Sequence, residues 1–268
     1  MKNRYRRFKE FIRRIAIKLC RGLLYFFSRT YRVQNRPVLV LAPHPDDETL
    51  GCGGLIARRR NEGYEVHIVF LTDGSASHPE HPLITPTELA TLRRAEALAA
   101  ADALDVDPAC VHFLDEPDGV LNILTPQRRQ HLVQRLGDFI SLTAPGRIFV
   151  PCSPDGSSEH DPVLGLAIDA LNSREVRAEI WQYPVWCWWN PTLLLDKIFV
   201  FADAYYHESE DFMQHKRRAL ACYRSQVEPS PPWHEASLPP TMVDFCLWDP
   251  EYYFRTPSSL IRKEPPPY

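Results

Sequence analysis

The chain has no Cys-x-x-Cys pair: its cysteines, at positions 20, 52, 110, 152, 187, 222 and 246, are odd in number and scattered. That argues against a thiolate zinc knuckle and against a disulfide framework, and a reducing cytoplasm fits best. Long apolar runs are missing as well. The longest unbroken one, from Gly22 to Phe27, falls far short of the roughly 20 residues that span a bilayer, and its surroundings do not resemble a secretory signal. Glycine is sparse, at 11 in 268 residues, and no internal repeat is present. The "GCGG" of 51–54 is not the GxGxxG fingerprint of a dinucleotide site. Low-complexity sequence is confined to the proline-rich "EPSPPWHEASLPP" and "EPPPY". With 44% hydrophobic and 24% charged residues the remainder is an ordinary globular chain.

Acid is almost absent from one region. Of the 31 Lys and Arg and 34 Asp and Glu, residues 1–36 hold 12 and 1, the single acid being Glu10. A basic arm thus precedes an acidic body. Within the arm Phe8, Phe11, Ile12, Ile15, Leu19, Leu23 and Phe26 recur at three- and four-residue spacings, an apolar helical stripe flanked by Arg and Lys. It reads as an amphipathic interfacial helix, with residues 1–30 touching a membrane surface and the protein peripheral on its inner face. Packing on the body or on a second subunit is the other reading, and the oligomeric state stays open. Nucleic acid is not expected as a partner, because only one short helix is basic.

From residue 37 short β-branched runs alternate with longer helical patterns. Strands are expected at 37–42, 65–71, 110–114, 147–151, 178–183 and 198–203, and helices at 48–62, 87–104, 125–143, 161–173 and 211–225. Almost wholly apolar strands separated by helices indicate a parallel sheet covered on both faces. The chain divides into the arm, 1–36; an α/β domain, 37–226; and a Pro-rich extension, 227–268, that packs on the domain or trails from it.

Ligands of such sheets sit beyond the carboxyl ends of the strands. Polar clusters follow the first four strands there: "PHPDDE", "TDGSASHPEHP", "DEPDG" and "CSPDGSSEHDP". His44 and Asp47 lie three apart at a strand-to-helix turn, so both side chains can face one point, and imidazole with carboxylate suits zinc or another divalent ion. A catalytic zinc takes three protein ligands, and His160, between Glu159 and Asp161 beyond the fourth strand, is the candidate for the third. Taken alone, a histidine there more often hydrogen-bonds at a helix end than ligates. Arg93 or Arg94 with Glu96, and Asp118, are candidates to touch a sugar, phosphate or carboxylate, against the plainer reading of a solvated face. His78 and His81 lie on a plausible mobile loop, His78 as a further candidate to touch substrate and either as a candidate for proton transfer. "YPVWCWWNP" offers aromatic faces to a sugar ring, or simply core.

Taken together, "PHPDDE" with its "TLGCGG" continuation, "VFLTDG" (69–74), "LRRAEALAA" (92–100), "HFLDEPDG" (112–119), the 155–160 segment, "YPVW" (183–186) and "KRRALACYRSQ" (216–226) resemble the PIG-L/LmbE family of N-acetylglucosaminyl deacetylases, in the family's order, over about residues 37 to 226. The resemblance implies a Rossmann-like three-layer α/β sandwich with a mostly parallel sheet, to which the basic N-terminal helix is added. It also implies zinc held by His44, Asp47 and His160, with Asp46 as the base acting on zinc-bound water. The implied reaction is hydrolytic removal of acetate from an N-acetylated amino sugar on a glycoconjugate or lipid-linked precursor. One position departs: many members read H-P-D-H where this chain has Ser157, Ser158, Glu159 and His160. An imidazole often credited with protonating the leaving amine is absent, which leaves both proton transfers to Asp46. Two other readings stand beside this one, a non-catalytic metal-retaining sugar-binding protein and an amidohydrolase for a different acyl group.

Overall fold

The computed structural model describes residues 2–200, 203–232 and 234–261. After a helix α1 (Lys2–Phe27) and a short strand β1 (Arg29–Thr30), the chain forms β2 (Val38–Ala42), α2 (Asp47–Asn61), β3 (Val66–Thr72), α3 (Pro86–Ala103), β4 (Val111–Glu116), α4 (Pro126–Thr143), β5 (Arg147–Pro151) and α5 (Asp161–Asn172). It continues with β6 (Glu179–Tyr183), α6 (Pro191–Val200), β7 (Ala204–His207), α7 (Met213–Cys222), α8 (Arg224–Val227), α9 (Pro240–Cys246), β8 (Glu251–Arg255) and α10 (Ser258–Ile261). The eight strands make one sheet in the order β1-β7-β8-β6-β5-β2-β3-β4. Only β8 runs antiparallel to its neighbours. This is the mostly parallel, helix-covered α/β architecture expected from the sequence.

The first strand shows why. Every residue of Val38–Ala42 is buried. Val38, Val40 and Ala42 belong to the core under α2 and α3, whereas Leu39 and Leu41 belong to the core under α4 and α5. Period-two side chains with both faces apolar are what a central parallel strand requires. The helices begin where the sequence offers caps: Thr85 makes a capping box with Glu88, and Thr125 caps α4, each followed by proline in the first helical turn.

Two elements differ from expectation. A strand is expected at 198–203, but Pro191–Val200 is helix and the strand is Ala204–His207; residues 201 and 202 lie outside the described residues. A short apolar run has no period of its own, and here Pro191 starts a helix that packs beside α1. The C-terminal stretch also supplies β8, which inserts between β6 and β7 rather than lying outside the sheet. Its Glu251 is buried and accepts the backbone N–H of Gly54 and Leu55 at 2.8 Å each and the Lys216 ammonium at 2.7 Å. Those bonds tie α2 to β8 and α7. The helix sits so close that a Cβ on Gly51 would meet the Tyr183 ring at 2.1 Å and one on Gly54 would meet Ser209 at 2.6 Å.

The chain leaves β2 for β3 and β4 on one side and returns to β5 on the other side of β2. The sheet therefore has its switch point between β2 and β5, and the loops beyond their carboxyl ends part to leave a crevice. Ile17, Cys20 and Leu24 of α1 are buried against the body. No helix among the described residues is long and apolar enough to cross a membrane.

Candidate metal centre

His44 leaves the end of β2, and Asp47 opens α2 three residues later. The turn between them is tight: Asp46 has φ of +134°, a backbone region that a residue with a Cβ rarely occupies. The Asp46 N–H donates to Glu48 (3.1 Å), and the Tyr223 hydroxyl donates to the same carboxylate (2.6 Å). Glu48 thus braces the turn from beneath.

His160, from the loop beyond β5, comes to the same point. His44 Nδ1 lies 3.1 Å from Asp47 Oδ2, and His160 Nε2 lies 3.3 Å from Asp47 Oδ1. Donor atoms of the three side chains all fall within 4.8 Å of one another. Each imidazole has a carboxylate on its other nitrogen: Asp118 Oδ1 at 3.2 Å from His44 Nε2, and Asp155 Oδ2 at 2.7 Å from His160 Nδ1. Asp155 is fixed in turn by the backbone N–H groups of Val185, Trp186 and Cys187. Ligand histidines are held in this way by outer carboxylates, which set tautomer and ring direction. The fit to a metal rests on one atom above all: His160 Nε2 is buried, and Asp47 Oδ1, 3.3 Å away, makes no hydrogen bond of good geometry with it. A buried polar atom so poorly satisfied costs free energy unless something else binds it. Two imidazoles and one carboxylate are a borderline N/O donor set suited to zinc.

The electrostatics point the same way. Burial alone would lower the pKa of His44, but Asp118 and Asp47 outweigh it and hold the ring up at about 9. Burial is likewise outweighed at His160, chiefly by Asp47, so that its pKa is raised. Asp47 itself is held well below the ordinary carboxylate range by the two rings, against its burial. The cluster favours positive charge at its centre, as protons or as a cation. Glu159 and Asp118 form a second triad with His44. Both oxygens of Glu159 are already engaged, however, accepting the N–H groups of Gly119 and Leu121 at 3.0 Å each.

Asp46 points elsewhere. Its Oδ2 accepts from the Arg93 guanidinium at 2.9 Å, and Arg93 is anchored on the carbonyls of Pro45 and Gly74. Burial pushes Asp46 up to about 8, with Arg93 opposing. It lines a cavity of about 480 Å³ together with His44, Asp47, Ser77, Arg93, Asp118, Ser157, Glu159, Trp186, Gln226 and Ser237.

The remaining candidates are divided. Arg94 is on the outer surface, bonded to Asp115 at 2.9 Å and stacked on Phe113. Glu96 is taken by the Ser225 hydroxyl and N–H. His78 is buried behind the cavity wall, within hydrogen-bond reach of Ser77 and Ser237; His81 lies beside Ser230. Of the aromatic run, Trp188 is core and Trp186 lines the cavity. Ser237 carries no sequence signal, being one serine in a proline-rich loop.

The family model described as GlcNAc-PI de-N-acetylase, PIG-L, matches residues 39–171. A diacetylchitobiose deacetylase of Thermococcus kodakarensis is 26% identical over 232 residues, covering 82% of this chain and 76% of its own. A 1D-myo-inositol 2-acetamido-2-deoxy-alpha-D-glucopyranoside deacetylase of Kineococcus radiotolerans is 36% identical over 89 residues, 32% of this chain and 24% of its own. A conserved protein of Thermus thermophilus superposes with a TM-score of 0.56 at 26% identity, over 78% of this chain and 84% of its own.

Proposed function

Because the chain belongs to the PIG-L family and is a hydrolytic N-deacetylase, we propose that it removes acetate from an N-acetylglucosaminide, with His44, Asp47 and His160 as metal ligands and Asp46 as the acid–base group. The observation that carries the site assignment is the convergence of His44, Asp47 and His160 donor atoms within 4.8 Å, with the buried His160 Nε2 lacking a hydrogen bond of good geometry. Zinc is the metal proposed; bound there, it would act as a Lewis acid on the acetamide oxygen and lower the pKa of a water. Asp46 takes the proton of the attacking water and returns it to the departing amine. Arg93 supports this by fixing Oδ2 of Asp46, while burial keeps the carboxyl's proton affinity near that needed at neutral pH. Ser157, which lines the cavity, donates or accepts a hydrogen bond but moves no proton near neutral pH. Neutral groups of Ser77, Gln226 and Ser237 and the face of Trp186 give the wall a composition suited to a pyranose ring. The same reading has the protein working at the inner face of a membrane, contacted through residues 1–30.

The experiment is acetate release from a panel of N-acetylglucosaminides by the zinc-loaded protein. Acetate with a free amino sugar as the second product supports the proposal. Sugar binding without product would make this a metal-retaining lectin-like protein, and release of a different acid would make it an amidohydrolase of another acyl class.

A further inference from the structure

A surface helix normally turns its apolar stripe inward. On α1 the reverse holds. Ile17, Cys20, Arg21 and Leu24 face the body and are buried, whereas the large side chains of the stripe face away from it. Phe8 is 61% exposed, Phe11 58%, Ile15 42%, Leu19 66%, Leu23 40% and Phe26 80%. At three- and four-residue spacings these make one continuous outward row, and soluble monomers rarely leave such a patch uncovered. Release of the helix to bury that row would sacrifice real contacts. Arg21 is stacked on Trp188 at 4.9 Å, Arg13 lies 3.6 Å over Trp189, and Arg14 is paired with Asp244 at 2.9 Å.

We propose that α1 stays docked by its inner face and beds its outer row into an anionic lipid surface. The proposal rests on the reading of residues 1–30 as a surface-contact arm, and on nothing in the pocket chemistry. Charge selects the occupant. Lys9 and Lys18 are exposed beside the row, and the arm's only acid, Glu10, is turned to Thr241 on the inner side. Two copies meeting row to row would bring two basic arms together, whereas anionic headgroups complement them. The contact also bears on the pocket: Trp188 and Trp189, on which the arm rests, belong to the same turn as Trp186 in the cavity wall.

The test is co-sedimentation of the full chain with vesicles of equal parts phosphatidylglycerol and phosphatidylcholine, against phosphatidylcholine alone. Wild type should bind the anionic vesicles and bind the neutral ones less. Combined Phe11→Ser, Leu19→Ser and Phe26→Ser should weaken binding about tenfold or more, with melting temperature and circular dichroism unchanged because the three residues touch solvent. Lys9→Glu with Lys18→Glu should cost about tenfold. Equal binding by wild type and the triple serine variant would overturn the proposal. So would absence of wild-type binding, including the case in which wild type self-associates and the triple variant is monomeric. No acetate is measured, so an inactive pocket leaves this result intact, and a failed vesicle assay leaves the deacetylase reading intact.

Discussion

The strand-end crevice and the N-terminal helix break the same rule in opposite directions. In the crevice Asp46, Asp47, Glu48, Arg93, Asp155 and His160 are all buried, although charged side chains almost never are. On α1 large hydrocarbon side chains stand in water. The crevice makes its burial tolerable by pairing: Arg93 on Asp46, two imidazoles on Asp47, three backbone N–H groups on Asp155. What it leaves without a hydrogen bond of good geometry is His160 Nε2, 3.3 Å from Asp47 Oδ1, together with Arg93 Nε. The helix has no comparable compensation on its outer face. The two anomalies are what the proposals above rest on, a cation in one place and a lipid surface in the other. A residue buried or exposed against its type is therefore more informative here than residue type alone.

The comparison can be broken most strongly at Asp46. Asp46→Asn preserves shape and leaves the three proposed ligands in place, so metal content should be retained while acetate release falls by about 10²–10⁴ for each proton-transfer role lost. Ser157→Ala, measured alongside, should cost little. Comparable losses in the two variants would move the proton chemistry away from Asp46.

Next in size is the contrast between the two faces of α1. Ile17→Ala empties a fully buried site and should lower stability by about 2–5 kcal/mol in chemical denaturation. Leu19→Ala, two residues on and exposed, should stay within about 0.5 kcal/mol. Equal losses at the two positions would mean that the stripe is covered in solution.

A smaller effect is expected one bond away from the proposed ligands. Asp155→Asn removes the carboxylate that orients His160 and should weaken zinc binding about 10–100-fold without unfolding the chain. Calorimetric zinc titration checks it, and unchanged affinity would show that the ring is held by packing alone.

The smallest effect is at a buried histidine remote from the crevice. Burial lowers the pKa of His207 from 6.5 to about 4. The unfolded chain therefore takes up a proton that the folded chain refuses. The stability His207 allows is fully present above about pH 6.5 and is lost as pH falls toward about 4. His207→Gln should flatten the decline of the melting temperature over that window; an unchanged slope would assign the decline to other groups.

The sequence is legible where one local pattern decides the structure. Val38–Ala42 reads as a central strand because both of its faces are apolar, and the spacing of His44 and Asp47 places them on one turn. Much less is legible where distant segments meet. Tyr252, Tyr253 and Phe254 between Pro250 and Pro257 carry a strand signal, but nothing local places that strand between β6 and β7 or marks Ser237 as a pocket residue. The 198–203 stretch misleads because a short apolar run satisfies helix and strand alike. The stripe of α1 is visible in the sequence, but its direction is not: Ile17, Cys20 and Leu24 form a narrower apolar face that periodicity ranks below the row of Phe and Leu. Asp118 is legible as polar and near a strand end, yet its contact with His44 Nε2 depends on how the loop after β4 closes.

The central claim is that His44, Asp47 and His160 hold the metal that deacetylation requires. It is tested most directly by acetate release from an N-acetylglucosaminide, measured on zinc-loaded wild type, after chelation, after zinc is restored, and on zinc-treated His160→Ala. The account predicts release that is lost on chelation and recovered with zinc in wild type, and no recovery in His160→Ala, whose metal content should be low. Full zinc retention and full acetate release by His160→Ala would contradict it.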